Sequence, residues 1–422
     1  MRILHLIQRY HPARGGAEKH LEEISTYFAA AGHQVTVITT DALDFELFWD
    51  SSRRRIAANT DTEGGVDILR FPVRHVALSP LAYPGLRRLL SIMSKTAIIP
   101  TKWMMGLAQY TPWVPDLWRW IEETEQTYDV IAGMTIGFEP IMAVGQSFAH
   151  RIGAPFICYP LTHLGAGPEP GIDPISRFYT MRHQIKIVLD SDMVVAQTAA
   201  EQRFFTDRGL AADKIPIVGP GVDPSEVVGG NGQRFLEKHG MKNPLILFIG
   251  YLSRDKGAFD TVEATRRLWS QGYEVDLVLI GTISTAFRSY IDKLVDSDRK
   301  RIHLLGPVND SEKRDALAAA SMLSMPSRTD SFGITYLEAW LYNLPVIASR
   351  TWGVMDVVDD GSDGLIAPFG DIIALVAAMK TLLDNPGKAR EMGEVGRKKV
   401  YQEHLWEKKL RDLGELYREI TA

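Results

Sequence analysis

Short, uninterrupted apolar runs recur along this chain, each separated from the next by a stretch patterned for a helix. In the second half they fall at Leu245–Ile249, Leu277–Ile280, Ile302–Leu305, Met322–Met325 and Val346–Ala348. Runs without polar alternation are what strands show when helices cover both faces of a sheet. Parallel neighbours need a crossover of a dozen or more residues, and the intervening helical patterns supply it. The first half repeats the alternation, with strands expected at Ile3–Ile7, Val35–Thr39, Ile68–Phe71, Val130–Ala132, Phe156–Tyr159, Met193–Ala196 and Ile215–Val218. The first helix is expected from about Ala17 to Ala31, with Leu21, Ile24 and Phe28 inward and Gly32 as its stop. Between the two sets, residues 219–232 are rich in glycine and proline and read as an interdomain connection. The fold class is therefore α/β: two doubly wound domains joined by a hinge, with a cleft between the carboxyl edges of their sheets, where such sheets bind ligands.

A chain of 422 residues is long enough for two such cores. Its apolar fraction of 45% and charged fraction of 23% are those of an ordinary globular protein. A net charge of −5 argues against nucleic acid as a partner. The one cysteine, Cys158, excludes an internal disulfide and suits a reducing compartment. Arg2–Ile7 runs directly into Gln8 and Arg9, too short for an export segment, and no apolar run is long enough to span a bilayer. A cytoplasmic location is expected.

The densest chemistry lies between Pro326 and Ser349, which reads as a strand end, a polar loop, an apolar helix and a further strand. From Ile334 to Leu344 the only charged side chain is Glu338. A solitary carboxylate on such a helix is costly to bury without hydrogen-bond donors. Adjacent ribose hydroxyls are suitable donors, because a carboxylate accepts from two at once. Ser331, Phe332 and Gly333 open the helix, where free backbone N–H groups attract phosphate. The segment thus offers a nucleotide diphosphate a ribose clamp and a phosphate cradle.

Other residues point the same way with less force. Arg254 and Lys256 follow the strand ending at Gly250 and face the expected cleft as phosphate-neutralising cations, or are simply solvated surface charges. Gly15 and Gly16 open the first helix and let backbone approach a ligand, or serve only a tight turn. His163 follows a strand and reaches a substrate hydroxyl, or is satisfied by its own turn. Two Asp-Ser-Asp triplets, at 190–192 and 296–298, lack the placement of metal ligands, and no histidine–cysteine cluster has metal spacing; no metal is expected. From Ile68 to Pro115 there is no Asp or Glu, while Arg70, Arg74, Arg87, Arg88, Lys95 and Lys102 are interleaved with large apolar residues. That composition suits an anionic membrane surface, with a packed helical insertion or a dimer contact as alternatives.

With these residues assembled, the chain resembles the retaining glycosyltransferases of family 4, the group 1 family, which have the GT-B fold of two Rossmann-like domains. The resemblance rests on Gly15-Gly-Ala-Glu18, Gly32-His-Gln-Val-Thr-Val37 and Gly219-Pro-Gly-Val-Asp223 in the first half. It continues through Ile249-Gly250, Lys256-Gly257, Pro326-Ser327, Ser331-Phe332-Gly333, Leu337-Glu338-Ala339, Pro345-Val-Ile-Ala-Ser349 and Asp363-Gly-Leu-Ile-Ala-Pro368, in family order and spacing.

The resemblance implies a hexosyltransferase-type, metal-independent enzyme. It would move a sugar from a nucleotide diphosphate sugar to a hydroxyl acceptor with retained configuration and no cofactor. The acceptor would be a glycan or a lipid-linked glycan of cell-surface polysaccharide synthesis, placing the protein peripherally on the inner face of the membrane. By position, Glu338 holds the ribose, Lys256 the diphosphate with the amides near Ser331, Phe332 and Gly333, and the Gly15-Gly16 loop closes over the reacting region. His163 is placed near the transferred sugar. Residues 1–222 form the acceptor-side domain and 223–403 the nucleotide-sugar domain, with a helix at 404–422 returning to the first.

The chain departs from the family in three places. The first carboxylate of the E-x₇-E pair is Asp330, which either contacts the sugar or caps the helix. Tyr251 replaces an arginine, so that Arg254 is the candidate substitute. Trp352-Gly353 stands where paired glycines are usual. Asp330 and Tyr251 keep open an alternative, a catalytically silent subunit that binds nucleotide sugar or scaffolds a polysaccharide assembly.

Overall fold

The computed structural model describes residues 1–422, which divide into two units. The first comprises Met1–His163, Gly171–Val218 and Leu410–Ala422. Its sheet contains β1 (Arg2–Leu6), β2 (Gln34–Thr40), β3 (Thr60–Glu63), β4 (Val66–Phe71), β5 (Val130–Met134), β6 (Phe156–Tyr159) and β7 (Met193–Val194). The order is β3-β4-β2-β1-β5-β6-β7, parallel throughout except for β3, which runs against β4. β1 therefore lies between β2 and β5, where the winding reverses.

The second unit comprises Leu164–Pro170 and Gly219–Lys409. Its strands are β8 (Leu245–Ile249), β9 (Asp276–Ile280), β10 (Ile302–Gly306), β11 (Met322–Met325), β12 (Val346–Ser349) and β13 (Gly364–Ala367). All pair in parallel, in the order β10-β9-β8-β11-β12-β13. The chain winds outward from β8 to β10, then returns to β11 and winds the other way. β8 and β11 thus flank a topological switch point, whose carboxyl side is the crevice where open α/β sheets bind ligands.

The apolar runs are buried as their lack of alternation requires: β5, β6, β8, β9, β11 and β12 have no exposed residue. Two strands were not anticipated. β3 is exposed along its whole length and carries no apolar residue, so it has no burial pattern to read. β13 is four residues long and begins with glycine. In the other direction, Ile215–Val218 forms only an isolated bridge, Ala196 with Ile217, rather than a strand. The first helix spans Gly16–Ala30, with Leu21, Ile24 and Phe28 buried.

The crossing segments place the boundaries a few residues from the expected ones. Val222 pairs with Leu405 inside the second unit, so that unit begins at Gly219 rather than at 223. The last helix, Trp406–Thr421, belongs to the first unit from Leu410 onward. There the Tyr417 hydroxyl lies 3.1 Å from Nε2 of His5 on β1 and 3.3 Å from the hydroxyl of Tyr159 on β6, and His5 Nδ1 meets Ser25 at 2.8 Å. Burial holds His5 neutral, its pKa pushed down to about 3, so this chain of hydroxyls and imidazole is a structural pin.

Candidate functional site

The β8 and β11 loops of the second unit carry most of the expected donor residues. After β8 the backbone turns through Gly250 and reaches Lys256, two residues before the start of the helix Ala258–Ser270. After β11 the chain passes Asp330, Ser331 and Phe332 to Gly333, which caps the helix Ile334–Leu341 in the left-handed region at φ 93°. Glycine adopts that conformation at no steric cost. It contributes no side chain to the cap, so the first N–H groups of the helix are open to an external acceptor. The two loops are tied by an ion pair between the Lys256 ammonium and Asp330 Oδ1. Lys256 is thereby held at the turn that opens the helix. Asp330 is here the ion-pair partner of Lys256.

Glu338 requires a correction. It is not solitary: Lys313, on the helix Asp310–Ala319, donates to its Oε1 at 2.6 Å. The lysine lies 25 residues upstream on a separate helix, so no local pattern announces it. The desolvation reasoning that demanded a ribose is therefore removed, because the protein itself supplies the countercharge. What persists is geometry and valence. Glu338 lies four residues from Ile334, on the less buried side of a helix whose other face is core, and Oε2 has no protein donor.

Arg254 is exposed, with its guanidinium 4.6 Å from the centre of the Phe259 ring. It stands near Asp260, whose carboxyl is pushed up by burial and partly brought back by Arg254. An unforeseen arginine, Arg328, donates twice to Asp255 Oδ1, at 3.0 and 2.6 Å, and stacks on Phe369. It makes a second tie between the β8 loop and the β11 loop, one residue from Lys256. Trp352, at the departure from the paired glycines, donates its amide to Gly165 O at 3.1 Å and its indole N–H to Gly167 O at 3.1 Å. Those bonds explain why residues 164–170 belong to the second unit.

In the first unit the equivalent switch point lies between β1 and β5. Gln8, just past the end of β1, accepts from the Thr135 hydroxyl after β5, and its carbonyl accepts from the hydroxyl of Thr40, the last residue of β2, at 2.6 Å. Glu18 accepts from Arg9 Nε at 3.0 Å and from Gln8 Nε2 at 3.4 Å. A side chain at Gly15 would displace the Glu18 carboxylate that Arg9 and Gln8 hold; the glycine's own φ of −177° is extended. A Cβ at Gly16 would meet nothing within 4 Å, which leaves its surface open.

His163 follows β6, half-buried, with its ring edge 4.4 Å between centroids from Tyr179. Its approach is constrained. Leu161 adopts φ 50°, and the next amide, Thr162 N–H, is held by Glu201 Oε1 at 2.6 Å. Thr135 adopts φ 77° at the corresponding end of β5. Non-glycine residues in that region cost energy and concentrate where a loop must present a side chain in one way. In the two Asp-Ser-Asp triplets, Asp190 pairs with Lys186, Asp192 accepts from the Phe156 amide, Asp296 pairs with Arg299 and Asp298 with Arg266.

Two doubly wound parallel sheets, the second with a cation and an open helix start at its switch point, define an α/β protein of the GT-B fold. The chain belongs to the glycosyl transferases group 1: that family model matches residues 232–399, and a glycosyl transferase 4-like domain matches residues 15–221. Among curated relatives, D-inositol 3-phosphate glycosyltransferase of Kineococcus radiotolerans is 29% identical over 252 residues, 54% of this chain and 56% of the relative. Alpha-maltose-1-phosphate synthase of Mycolicibacterium smegmatis is 27% identical over 55% of this chain and 64% of the relative. The capsular polysaccharide biosynthesis glycosyltransferase CapM of Staphylococcus aureus is 23% identical over 52% and 59%. The chain thus spans between half and two thirds of the length of these relatives. Among solved structures, Anabaena HepE in complex with UDP and glucose superposes over 99% of both chains, with a TM-score of 0.69 and 18% identity. Sucrose-phosphate synthase from Thermosynechococcus elongatus superposes over 100% of this chain and 99% of that one, with a TM-score of 0.73 and 19% identity.

Proposed function

We propose that this glycosyltransferase is a retaining, metal-independent enzyme that takes a hexose from a nucleotide diphosphate sugar and passes it to a hydroxyl of a glycan or lipid-linked glycan. Its setting in this reading is cell-surface polysaccharide synthesis at the inner face of the membrane. The observation that carries the proposal is the ion pair of Lys256 with Asp330, which keeps an ammonium at the uncapped start of the helix Ile334–Leu341, on the switch-point side of β8 and β11.

The chemistry follows from charge. Breaking the bond between the anomeric carbon and the phosphate oxygen leaves positive charge on the ring and negative charge on the departing diphosphate. Lys256 and the amides near Phe332 and Gly333 meet the negative charge, with Arg254 as the second cation. Fixed donors of this kind are each worth about 3 kcal/mol of barrier. For retention, the acceptor oxygen attacks on the face that the diphosphate leaves, and a phosphate oxygen receives the acceptor's proton. His163 and Asp330 are assigned to the transferred sugar, Glu338 to the ribose through Oε2, and the Gly15-Gly16 loop to closure over the donor.

The test is turnover across a panel of nucleotide sugars, with the anomeric configuration of the product read by NMR. Release of a nucleoside diphosphate with a retained product is expected. Donor binding without turnover by any acceptor would instead support the silent-subunit reading that Asp330 and Tyr251 left open.

A further inference from the structure

The helix Ser79–Ser94 and the loop and helix that follow it, to Ala108, are apolar on two faces, and the protein uses only one. Inward, Leu90, Met104, Ala108 and Met181 form a closed cluster, and Arg87 reaches the buried Glu139. Outward stand Leu78 (76% exposed), Leu81 (75%), Leu89 (45%), Ile92 (64%), Ile98 (89%) and Trp103 (64%). On the helix Leu81, Leu89 and Ile92 are eight and three places apart, which keeps them on one side. The three most exposed large apolar side chains of the whole chain lie among them.

Specific contacts seat this face. Leu78 holds a left-handed conformation, φ 57°, at the start of the helix. Beneath the 94–99 loop, the Arg182 guanidinium donates to the carbonyls of Met93, Ser94, Thr96, Ala97 and Ile99, and its amide donates to Ser94 Oγ. One arginine thus collects five carbonyls in order to hold a loop whose tip, Ile98, points at solvent. Exposed Arg88, Lys95 and Lys102 flank the apolar side chains, and no acid occurs from Ile68 to Pro115.

We propose that this face docks on an anionic lipid surface, with Ile98 and Trp103 entering the interface and Arg88, Lys95 and Lys102 meeting the headgroups. Large apolar patches of this sort mark interaction sites, and apolar-plus-basic helices bind anionic bilayers in the interfacial plane. A second copy of the chain is the poorer occupant. A two-fold contact would set this face against itself, bringing cations against cations with no acid within the face to pair them. The inference deepens the membrane side of the proposed function by naming the surface. Vesicle binding needs no donor, however, so its failure leaves the donor-site reading untouched.

The experiment is co-sedimentation of the full chain with phosphatidylglycerol-containing vesicles and with pure phosphatidylcholine vesicles. Three cations at the surface predict affinity for the anionic vesicles higher by about 100-fold at low salt, falling as salt is added. Ile98→Glu with Trp103→Glu, both exposed, abolishes binding while leaving thermal unfolding unchanged. Arg88→Glu, Lys95→Glu and Lys102→Glu together remove the preference for anionic lipid. Absence of binding to anionic vesicles, or binding that both variants retain, overturns the proposal. So does a wild-type dimer in sedimentation velocity that the Ile98→Glu, Trp103→Glu variant disperses, since the face would then be a contact between copies.

Discussion

Glu338→Gln keeps the length and volume of the side chain and removes its charge. Lys313 Nζ stands 2.6 Å from Oε1. At that distance and an effective dielectric of about 20, two unit charges attract by roughly 6 kcal/mol before any cost is counted. The lysine side chain is 29% exposed and the glutamate 14%; screening, desolvation and side-chain ordering reduce the net contribution to about 1 kcal/mol. The variant should therefore stay folded, with a small drop in stability. Donor binding is a separate quantity. A hydrogen bond from a ribose hydroxyl to a charged acceptor is worth about 1.5–3 kcal/mol, and each 1.4 kcal/mol is tenfold in Kd. Glu338→Gln should weaken nucleoside diphosphate binding by about 10- to 100-fold, read by titration calorimetry. Lys313→Met separates the two effects: it strands the carboxylate and lowers the unfolding temperature, yet keeps the charged acceptor and so weakens the nucleotide less than Glu338→Gln does. Unchanged nucleotide affinity in Glu338→Gln would refute the ribose assignment, and Glu338 would then be only the partner of Lys313.

Lys256→Ala should lower kcat by about 100-fold, the effect of removing one fixed donor to a developing charge; an unchanged rate would show that the diphosphate lies elsewhere. In the first unit, burial disfavours the Glu139 carboxylate, but Arg87 and His183 outweigh it and hold its pKa below the ordinary 4.5. A lowered carboxylate pKa contributes stability that is complete above the unfolded value and is lost as the pH falls through the folded one. Urea unfolding should therefore show the wild type losing stability below about pH 4.5. Arg87→Leu should cost about 3–5 kcal/mol at neutral pH by leaving the buried carboxylate uncompensated; an unchanged urea midpoint would contradict this.

The apolar runs announced the central strands because burial on both faces leaves one composition available; β8 falls at Leu245–Ile249, where it was expected. The same logic is blind at the edges. β3, Thr60–Glu63, is a strand by backbone pairing alone, and nothing in its side chains needed burial. The candidate residues that follow strand ends, Lys256 and the Ser331–Gly333 turn, could be singled out because strand-to-helix junctions are where α/β sheets present chemistry. Their partners were not. Lys313 for Glu338, Asp330 for Lys256 and Arg328 for Asp255 meet across 25, 74 and 73 residues, and only the folded sheet brings them together. Glu338 shows the cost: a residue solitary on its own helix is paired in space. The outward apolar face at 78–103 was visible as composition, but its seating on Arg182 was not.

A crystal structure with a bound nucleoside diphosphate is the most direct test of where the donor sits. The diphosphate should lie between Lys256 and the amides of Phe332 and Gly333, with a ribose hydroxyl on Glu338 Oε2 while Lys313 keeps Oε1. A diphosphate found away from the β8 and β11 loops, or a ribose that leaves Glu338 engaged by Lys313 alone, would contradict the account.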